Sequence, residues 1–350
     1  MKTVNVCASG NYEVKIGPNL LKSLGSEAAS VCKVGTAAII SDSNVFPIYG
    51  ETARESLEEA GFRVLQFVFP AGESSKNGQV YLEILNFLAQ NHVTRSDCIV
   101  ALGGGVVGDM AGFVAATFLR GVSYIQVPTT LLAAVDSSVG GKTAIDLPAG
   151  KNLAGAFYQP KLVLCDIDTL NTLPADIFRD GCAEVIKYGI LYDPDLFSKL
   201  EKDGLDFDRE SVIACCVALK RDVVMEDEFD TGARMRLNLG HTIGHGVEAN
   251  SNFTVSHGKA VAIGMAIVSR SAAKSNICGN ETRDRILSII HQFMLPTDTD
   301  CSAEQIFNSA LSDKKRMGGK VNLIIPERIG YCRIQSTEVS DLKSFIEAGL

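Results

Sequence analysis

Apolar residues form short continuous runs in the first half of the chain and helically spaced stripes in the second. Thr36-Ala-Ala-Ile-Ile40 reads as a buried strand that ends at the polar stretch Ser41-Asp42-Ser43-Asn44. Residues 54–60 predict a helix closed by Gly61, and residues 63–69 a second strand closed by Pro70-Ala71-Gly72. Val80, Ile84, Phe87 and Leu88 recur at helical spacing within residues 80–90. Cys98-Ile-Val-Ala-Leu102 is a third strand bounded by glycines. A helix, a strand at 124–127, another helix and a strand at 162–164 follow. Strands that alternate with helices predict a mostly parallel sheet covered by helices, an α/β domain.

The period changes near Thr172-Leu173-Pro174. Beyond it, helical spacing dominates residues 178–191, 211–224, 241–249, 258–274, 282–293 and 303–312. One late strand is expected at 321–325, stopped by Pro326, and a last helix at 341–348 with Ser340 as its N-cap. These readings place an α/β domain at residues 1–175 and a mainly α-helical domain at 176–350. A chain of 350 residues suits two such cores better than one.

Composition narrows the function classes. Hydrophobic residues make up 46% and charged residues 21%, a globular balance with no apolar run long enough to span a bilayer. The N-terminal Met1-Lys-Thr-Val-Asn-Val6 lacks a long apolar core before a small-residue cleavage site, so no secretory signal is read and a cytoplasmic location is expected. Apart from the adjacent Cys215-Cys216, the 10 cysteines are dispersed, and none forms a CxxC pair, a pattern of reduced thiols. A net charge of −8 argues against a nucleic-acid partner. It leaves room for a small anionic substrate held by a few cations in a cleft.

Candidate chemistry gathers in three places. Of the 5 histidines, His241, His245 and His257 lie close in sequence, and the first two share a helical face. With so few in the chain, this clustering points to a metal or catalytic site. Glu184 and Lys187 sit amid apolar neighbours, where a lone carboxylate is costly unless paired or metal-bound. Two histidines and one carboxylate leave an open position on zinc, although spacing alone does not choose Glu184 over Glu248 as the third ligand.

The second place is Gly103-Gly-Gly-Val-Val-Gly108-Asp109, a GxGxxG between a strand and a helix. Glycines there let backbone approach a pyrophosphate at a helix N-terminus, which predicts a Rossmann-like dinucleotide site. The motif lies about a hundred residues in, and no acidic residue follows about twenty residues on. The ribose carboxylate is therefore expected from Asp42 or Glu73. The third place is Asp136-Ser-Ser-Val-Gly-Gly-Lys142 with Lys151-Asn152, where lysines beside mobile backbone suit phosphate contacts.

Taken in order, Gly103–Asp109, Arg120-Gly121, Val127-Pro-Thr-Thr-Leu-Leu-Ala133, Val135–Ala144, Gly150–Leu153, Ala183-Glu-Val-Ile-Lys187 and Leu237–His245 resemble the 3-dehydroquinate synthase family of sugar-phosphate cyclases. The resemblance is collinear and extends to Asp313-Lys-Lys315. It implies a lyase that converts 3-deoxy-D-arabino-heptulosonate 7-phosphate to 3-dehydroquinate and phosphate, with NAD, a divalent zinc or cobalt ion and a homodimer. It implies Glu184, His241 and His257 as metal ligands. His245, Lys142, Asp230 and Arg120 would be catalytic, Arg120 reaching the phosphate from the neighbouring subunit. Asp136, Asn152, Lys187, Lys220, Arg234, Asn238 and Lys314 or Lys315 would bind substrate. Asp42, Asn44, Glu73, Lys76, Gly104, Gly105, Asp109, Thr129, Thr130, Lys142, Lys151, Thr169 and Thr172 would bind NAD. Departures from the pattern are Asp230 for a glutamate, Lys259 for a glutamate, and Gly246 for an alanine, which is expected to weaken its helix slightly. The rival readings are another sugar-phosphate cyclase, a metal-dependent alcohol or glycerol dehydrogenase, and a non-catalytic NAD-binding scaffold.

Overall fold

The structure, a computed structural model, describes residues 1–251, 254–314 and 319–350, with residues 311–314 as backbone only. The chain opens with an antiparallel hairpin, β1 (Lys2–Cys7) and β2 (Asn11–Gly17). Then come β3 (Thr36–Asp42), β4 (Arg63–Phe69), β5 (Cys98–Gly103) and β6 (Ser123–Pro128). A small separate hairpin, β7 (Lys142–Leu147) and β8 (Gly150–Phe157), precedes β9 (Leu162–Asp166). The 7-stranded sheet has the order β1-β2-β9-β6-β5-β3-β4, parallel from β2 to β4.

Helices α1 (Leu24–Val31), α2 (Phe46–Glu59), α3 (Gly78–Gln90) and α4 (Gly105–Thr117) connect these strands. Both sheet faces are covered, which is why the central strands read as unbroken apolar runs. Ile39 and Ile40 show the alternation directly: Ile39 packs with Leu24, Leu57 and Val100, and Ile40 with Ile84, Leu88 and Met110. The β1–β2 hairpin is hidden in the sequence by interleaved polar residues such as Asn5 and Glu13, and the β7–β8 hairpin, with polar Asn152, stands between β6 and β9 where the sequence predicts a helix.

The second unit holds α5 (Ala175–Leu191), α6 (Pro194–Asp203), α8 (His241–Asn250), α9 (His257–Lys274), α10 (Asn280–Gln292), α11 (Ala303–Lys314) and α12 (Val339–Gly349). It also holds a hairpin, β10 (Lys320–Arg328) and β11 (Tyr331–Glu338). The central helix is α9, buried along most of its length against α5, α8, α10 and α12. Glycines bring α8 and α9 together: a Cβ at Gly264 would lie 2.0 Å from the Gly240 carbonyl, and one at Gly244 2.7 Å from that of Ala260.

The compact units are Met1–Pro174 with Arg209–Phe229, and Ala175–Asp208 with Asp230–Leu350. This departs from a single cut at 175. Helix α7 (Arg209–Glu226) packs on β1 and β2 of the first unit, where the Met1 amino group pairs with Glu210 at 3.1 Å. One smaller expectation also changes. Ser340 is not an N-cap, because β11 passes directly into α12, whose N-cap position is Glu338; the Ser340 hydroxyl binds Asp341 instead. Gly246 lets α11 close on α8, since a Cβ there would meet the Ile306 carbonyl at 3.0 Å. Among the described residues, no helix is long and apolar enough to cross a membrane.

Candidate metal and nucleotide sites

Glu184 lies on the stretch of α5 that is buried without interruption from Gly181 to Leu191, and its side chain is 0% exposed. Lys187, one turn on and equally buried, forms an ion pair with it. The close packing of α8 on α9 brings two imidazoles to the same carboxylate. His241 Nε2 lies 3.4 Å and His257 Nε2 3.3 Å from Glu184 Oε1. Among the described residues, neither oxygen of Glu184 accepts a hydrogen bond of normal geometry.

This arrangement fits an ion. A tetrahedral zinc with ligands at about 2.0–2.1 Å needs neighbouring ligand atoms about 3.3–3.4 Å apart. The other ring nitrogens are already engaged on the far side. His241 Nδ1 is 3.0 Å from the Leu239 carbonyl, and His257 Nδ1 faces Glu248 Oε2 at 3.8 Å. Such partners fix the tautomer that leaves Nε2 to coordinate.

The electrostatics agree. Burial opposes ionisation of Glu184, but Lys187 and His241 outweigh it and hold the carboxyl well below its usual range. Burial, then the charge of Lys187, lowers His241. Burial also disfavours charged His257, yet Glu184 and Glu248 prevail and lift it to about 10. An ion would therefore compete with a proton there.

His245 is exposed, with its ring 5.5 Å from that of His241 and 6.0 Å from that of His257. It stands outside the Glu184 trio, although it forms a second potential ligand group with Glu248 and His257. Glu248, which spacing left level with Glu184, lies on the outer side of His257. Arg234 is buried on the short helix Ala233–Asn238, and Asn238 at its end is exposed. Asp230 just before it takes a left-handed φ of 58°. The Lys314 side chain and Lys315 lie outside the described residues.

In the first unit, the expected nucleotide residues collect at the carboxyl ends of the parallel strands. Asp42 ends β3, where its Oδ1 accepts the Asn44 and Val45 amides at 2.8 and 3.0 Å. Glu73 and Lys76 follow β4, Gly103–Gly105 end β5, Thr129 and Thr130 follow β6, and Thr169 and Thr172 follow β9. The β4-β3-β5-β6-β9 portion reverses its direction of growth between β3 and β5, the position where doubly wound sheets bind nucleotides. This is the doubly wound order in which the second strand lies outside the first, so the glycine loop follows the third parallel strand and not the first.

The loop is shaped for close approach. Gly104 is the N-cap of α4 and supplies no side-chain cap, so the first amides of the helix face outward. A Cβ at Gly104 would meet Thr130 at 3.0 Å and one at Gly105 would meet Ser137 at 3.3 Å. The buried Thr129 hydroxyl has no hydrogen-bond partner among the described residues. The residues present fit a nucleotide there. The Thr169 hydroxyl binds the Asp166 carbonyl at 2.7 Å, and that of Thr172 contacts Tyr49 Oη at 2.5 Å.

Beside the loop lies a charged cluster. Lys76 Nζ donates to Asp109 Oδ2 at 2.6 Å and Asn152 Oδ1 at 2.5 Å, and Lys151 Nζ is 3.8 Å from Glu73 Oε1. Burial raises Asp109, with Lys76 opposing it; burial likewise raises Glu73. Lys220 reaches back from α7 to Asp136, donating to its carbonyl at 2.6 Å and pairing with Oδ1 at 2.8 Å. Asp136 sits in a π-helical turn, Ala133–Ser137, a geometry frequent at functional sites. Lys142 is exposed at the start of β7, after Gly140 and Gly141, both at positive φ.

Sequence reasoning passed over Asp146, which accepts the Asn152 amide at 2.8 Å and holds that residue at φ 55°. Its signal was local, an acidic residue ending an alternating strand before a glycine turn. Arg120 is not with this group. It is exposed beyond the carboxyl end of α4, at φ 66°, whereas the glycine loop is at the amino end.

A doubly wound nucleotide sheet and a two-histidine, one-carboxylate trio are the features of a metal- and nucleotide-dependent enzyme. Family models for the 3-dehydroquinate synthase N-terminal and C-terminal regions match residues 66–180 and 181–316. The chain belongs to the 3-dehydroquinate synthase family. It is 41% identical to the 3-dehydroquinate synthase of Clostridium acetobutylicum, covering 99% of each chain. Among solved structures, it is similar to 2-deoxy-scyllo-inosose synthase complexed with carbaglucose-6-phosphate, NAD+ and Co2+, with TM-score 0.90, 26% identity and 100% of both chains covered. It is also similar to the 2-epi-5-epi-valiolone synthase of Streptomyces hygroscopicus with NAD+ and Zn2+ bound, with TM-score 0.90, 26% identity and coverage of 99% and 97%.

Proposed function

We propose that this chain converts 3-deoxy-D-arabino-heptulosonate 7-phosphate to 3-dehydroquinate and inorganic phosphate, acting as a cytoplasmic homodimer. The observation that carries this reading is the 41% identity to a 3-dehydroquinate synthase over 99% of both chains, against 26% to cyclases of other sugar phosphates. When bound, NAD would accept and later return a hydride, and the metal would polarise the hydroxyl on the carbon that gives up that hydride.

The residues divide the remaining work. Glu184, His241 and His257 would hold the ion, with Glu248 and the Leu239 carbonyl keeping the two imidazoles oriented. Gly104, Gly105, Asp109, Thr129, Thr130, Asp42, Asn44, Glu73, Lys76, Lys151, Thr169 and Thr172 would hold the nucleotide. His245, exposed and outside the trio, would move protons at the substrate, with Asp230 continuing the relay. Lys142, Lys187, Lys220, Arg234 and one of Lys314 and Lys315 would bind the anionic substrate, with Asp136, Asn152 and Asn238 fixing its hydroxyls. Phosphate elimination needs its charge held in place and no covalent help, a task suited to fixed cations.

Arg120 supports the dimer. It follows α4 of Gly105–Thr117, a helix about 20 Å long at 1.5 Å per residue. That length separates it from the glycine loop of its own chain, which favours service to a neighbouring subunit. The test is to incubate the purified protein with the heptulosonate phosphate, NAD and zinc. Phosphate and dehydroquinate should form together with no accumulation of NADH. Net NADH release would favour a dehydrogenase, and absence of phosphate release would sink the proposal.

A further inference from the structure

The helix that carries His257 begins with an incomplete cap. Ser256 occupies the N-cap position of α9 with extended φ/ψ of −66° and 160°, but its side chain makes no cap hydrogen bond. A capping box would place Glu or Gln three residues on. This chain has Lys259 there, a cation at the positive end of the helix dipole.

Asp180, on α5, fills the gap from outside the helix. Its Oδ1 accepts the Ser256 hydroxyl, and it accepts the Lys259 amide at 3.0 Å. The backbone also closes here: a Cβ on Gly258 would lie 1.9 Å from the Asp180 carbonyl. Asp180 stands one turn before Glu184, on the same face of α5. One helical face thus bears the carboxylate of the trio and the clamp on the helix whose first residue is His257. Registry between the two ligands, 3.3 Å apart, passes through that clamp.

We propose that Asp180 is a positioning residue for metal binding, setting His257 against Glu184 through Ser256 and the Lys259 amide. This rests on the assignment of the ion to Glu184, His241 and His257. Asp180 touches neither ion nor substrate in this scheme. It supplies the acceptor and negative charge that the first turn of α9 lacks. Without it that turn frays, and His257 loses its fixed orientation before the ion arrives.

The test is cobalt titration of the full-length, metal-stripped protein, read by equilibrium dialysis and by the visible absorption of bound Co2+. Asp180→Ala should weaken Co2+ binding about ten-fold or more, as loss of outer-shell support does elsewhere, and shift the absorption band. Asp180→Asn, which keeps an acceptor oxygen, should lose less. Adding Lys259→Glu to Asp180→Ala rebuilds the capping box and should recover much of the affinity. That recovery separates positioning from a general loss of stability, because the second substitution restores no contact to α5. Wild-type affinity and spectrum in Asp180→Ala would overturn the inference, as would failure of Lys259→Glu to recover binding in a variant that still folds. Undiminished Co2+ binding by His241→Ala would instead overturn the metal assignment, and this inference with it.

Discussion

Glu184→Gln should destabilise the metal-free protein far more than the change of one atom suggests. Glu184 and Lys187 are 0% and 1% exposed and pair with each other one turn apart. Gln keeps the volume and an acceptor but removes the charge facing Lys187. Breaking a buried pair from one side costs about 3–5 kcal/mol. At about 2–4 °C per kcal/mol for domains of roughly 150–250 residues, the unfolding midpoint should fall by roughly 6–20 °C. Calorimetry on the metal-stripped protein measures this directly. Glu184→Gln with Lys187→Met should regain most of the loss, because removing the Lys187 ammonium leaves no uncompensated buried charge. The double variant should still bind no metal. The sign with pH follows from the lowered Glu184 carboxyl, which is ionised in the folded protein. Its contribution is complete above the unfolded value near 4.5 and fades as pH falls through the lowered folded value. The gap between wild type and Glu184→Gln should therefore narrow in acid. A midpoint within about 2 °C of wild type at neutral pH, or a double variant no better than the single, would refute the reasoning.

Glu248→Ala should weaken Co2+ binding by about 10–100-fold, the usual effect of losing the carboxylate behind a ligating histidine, while His245→Ala should leave that affinity near wild type and lower the turnover rate. Lys76→Met should weaken NAD binding, followed by nucleotide fluorescence, because Asp109 and Asn152 lose their shared donor; Co2+ affinity should stay constant. Asp97 accepts the Thr36 and Thr94 amides at 2.7 and 2.6 Å, and although burial opposes it, these bonds lower its carboxyl below 3.8. Its stabilisation is therefore present above that value and lost as pH falls through the lowered one, so Asp97→Asn should flatten the acid limb of the denaturant-midpoint curve.

Local pattern carried the sheet because burial on both faces writes itself as unbroken apolar runs. The stretch Cys98–Gly103 is buried at every position and was legible for that reason. The same logic hid the β7–β8 hairpin, whose alternating, half-exposed residues surround Lys151, Asn152 and Asp146. Helix α6 was passed over although Asp193-Pro194 spells a capped start, with Asp193 Oδ1 accepting the Asp195 and Leu196 amides at 2.9 Å.

The metal trio shows where periodicity stops and the third dimension decides. On helical spacing, His241 and His245 are a pair, and Glu184 and Glu248 are equal candidates for the carboxylate. The deciding residues are glycines that no periodicity argument weighs. Gly240, Gly244 and Gly264 let α8 and α9 touch backbone to backbone, so His241 at the head of one helix meets His257 at the head of the other. That contact sends Glu248 to the outer side of His257 and leaves the inner side to Glu184, from a helix more than fifty residues earlier in the chain. Gly258 then closes α9 onto α5 at Asp180. Side chains at these glycines would separate the helices before they altered any ligand, so Gly264→Ala should cost metal affinity and stability together, about 1–3 kcal/mol of the latter by denaturant titration. A variant that lost neither would mean that the trio is assembled by something other than this close packing.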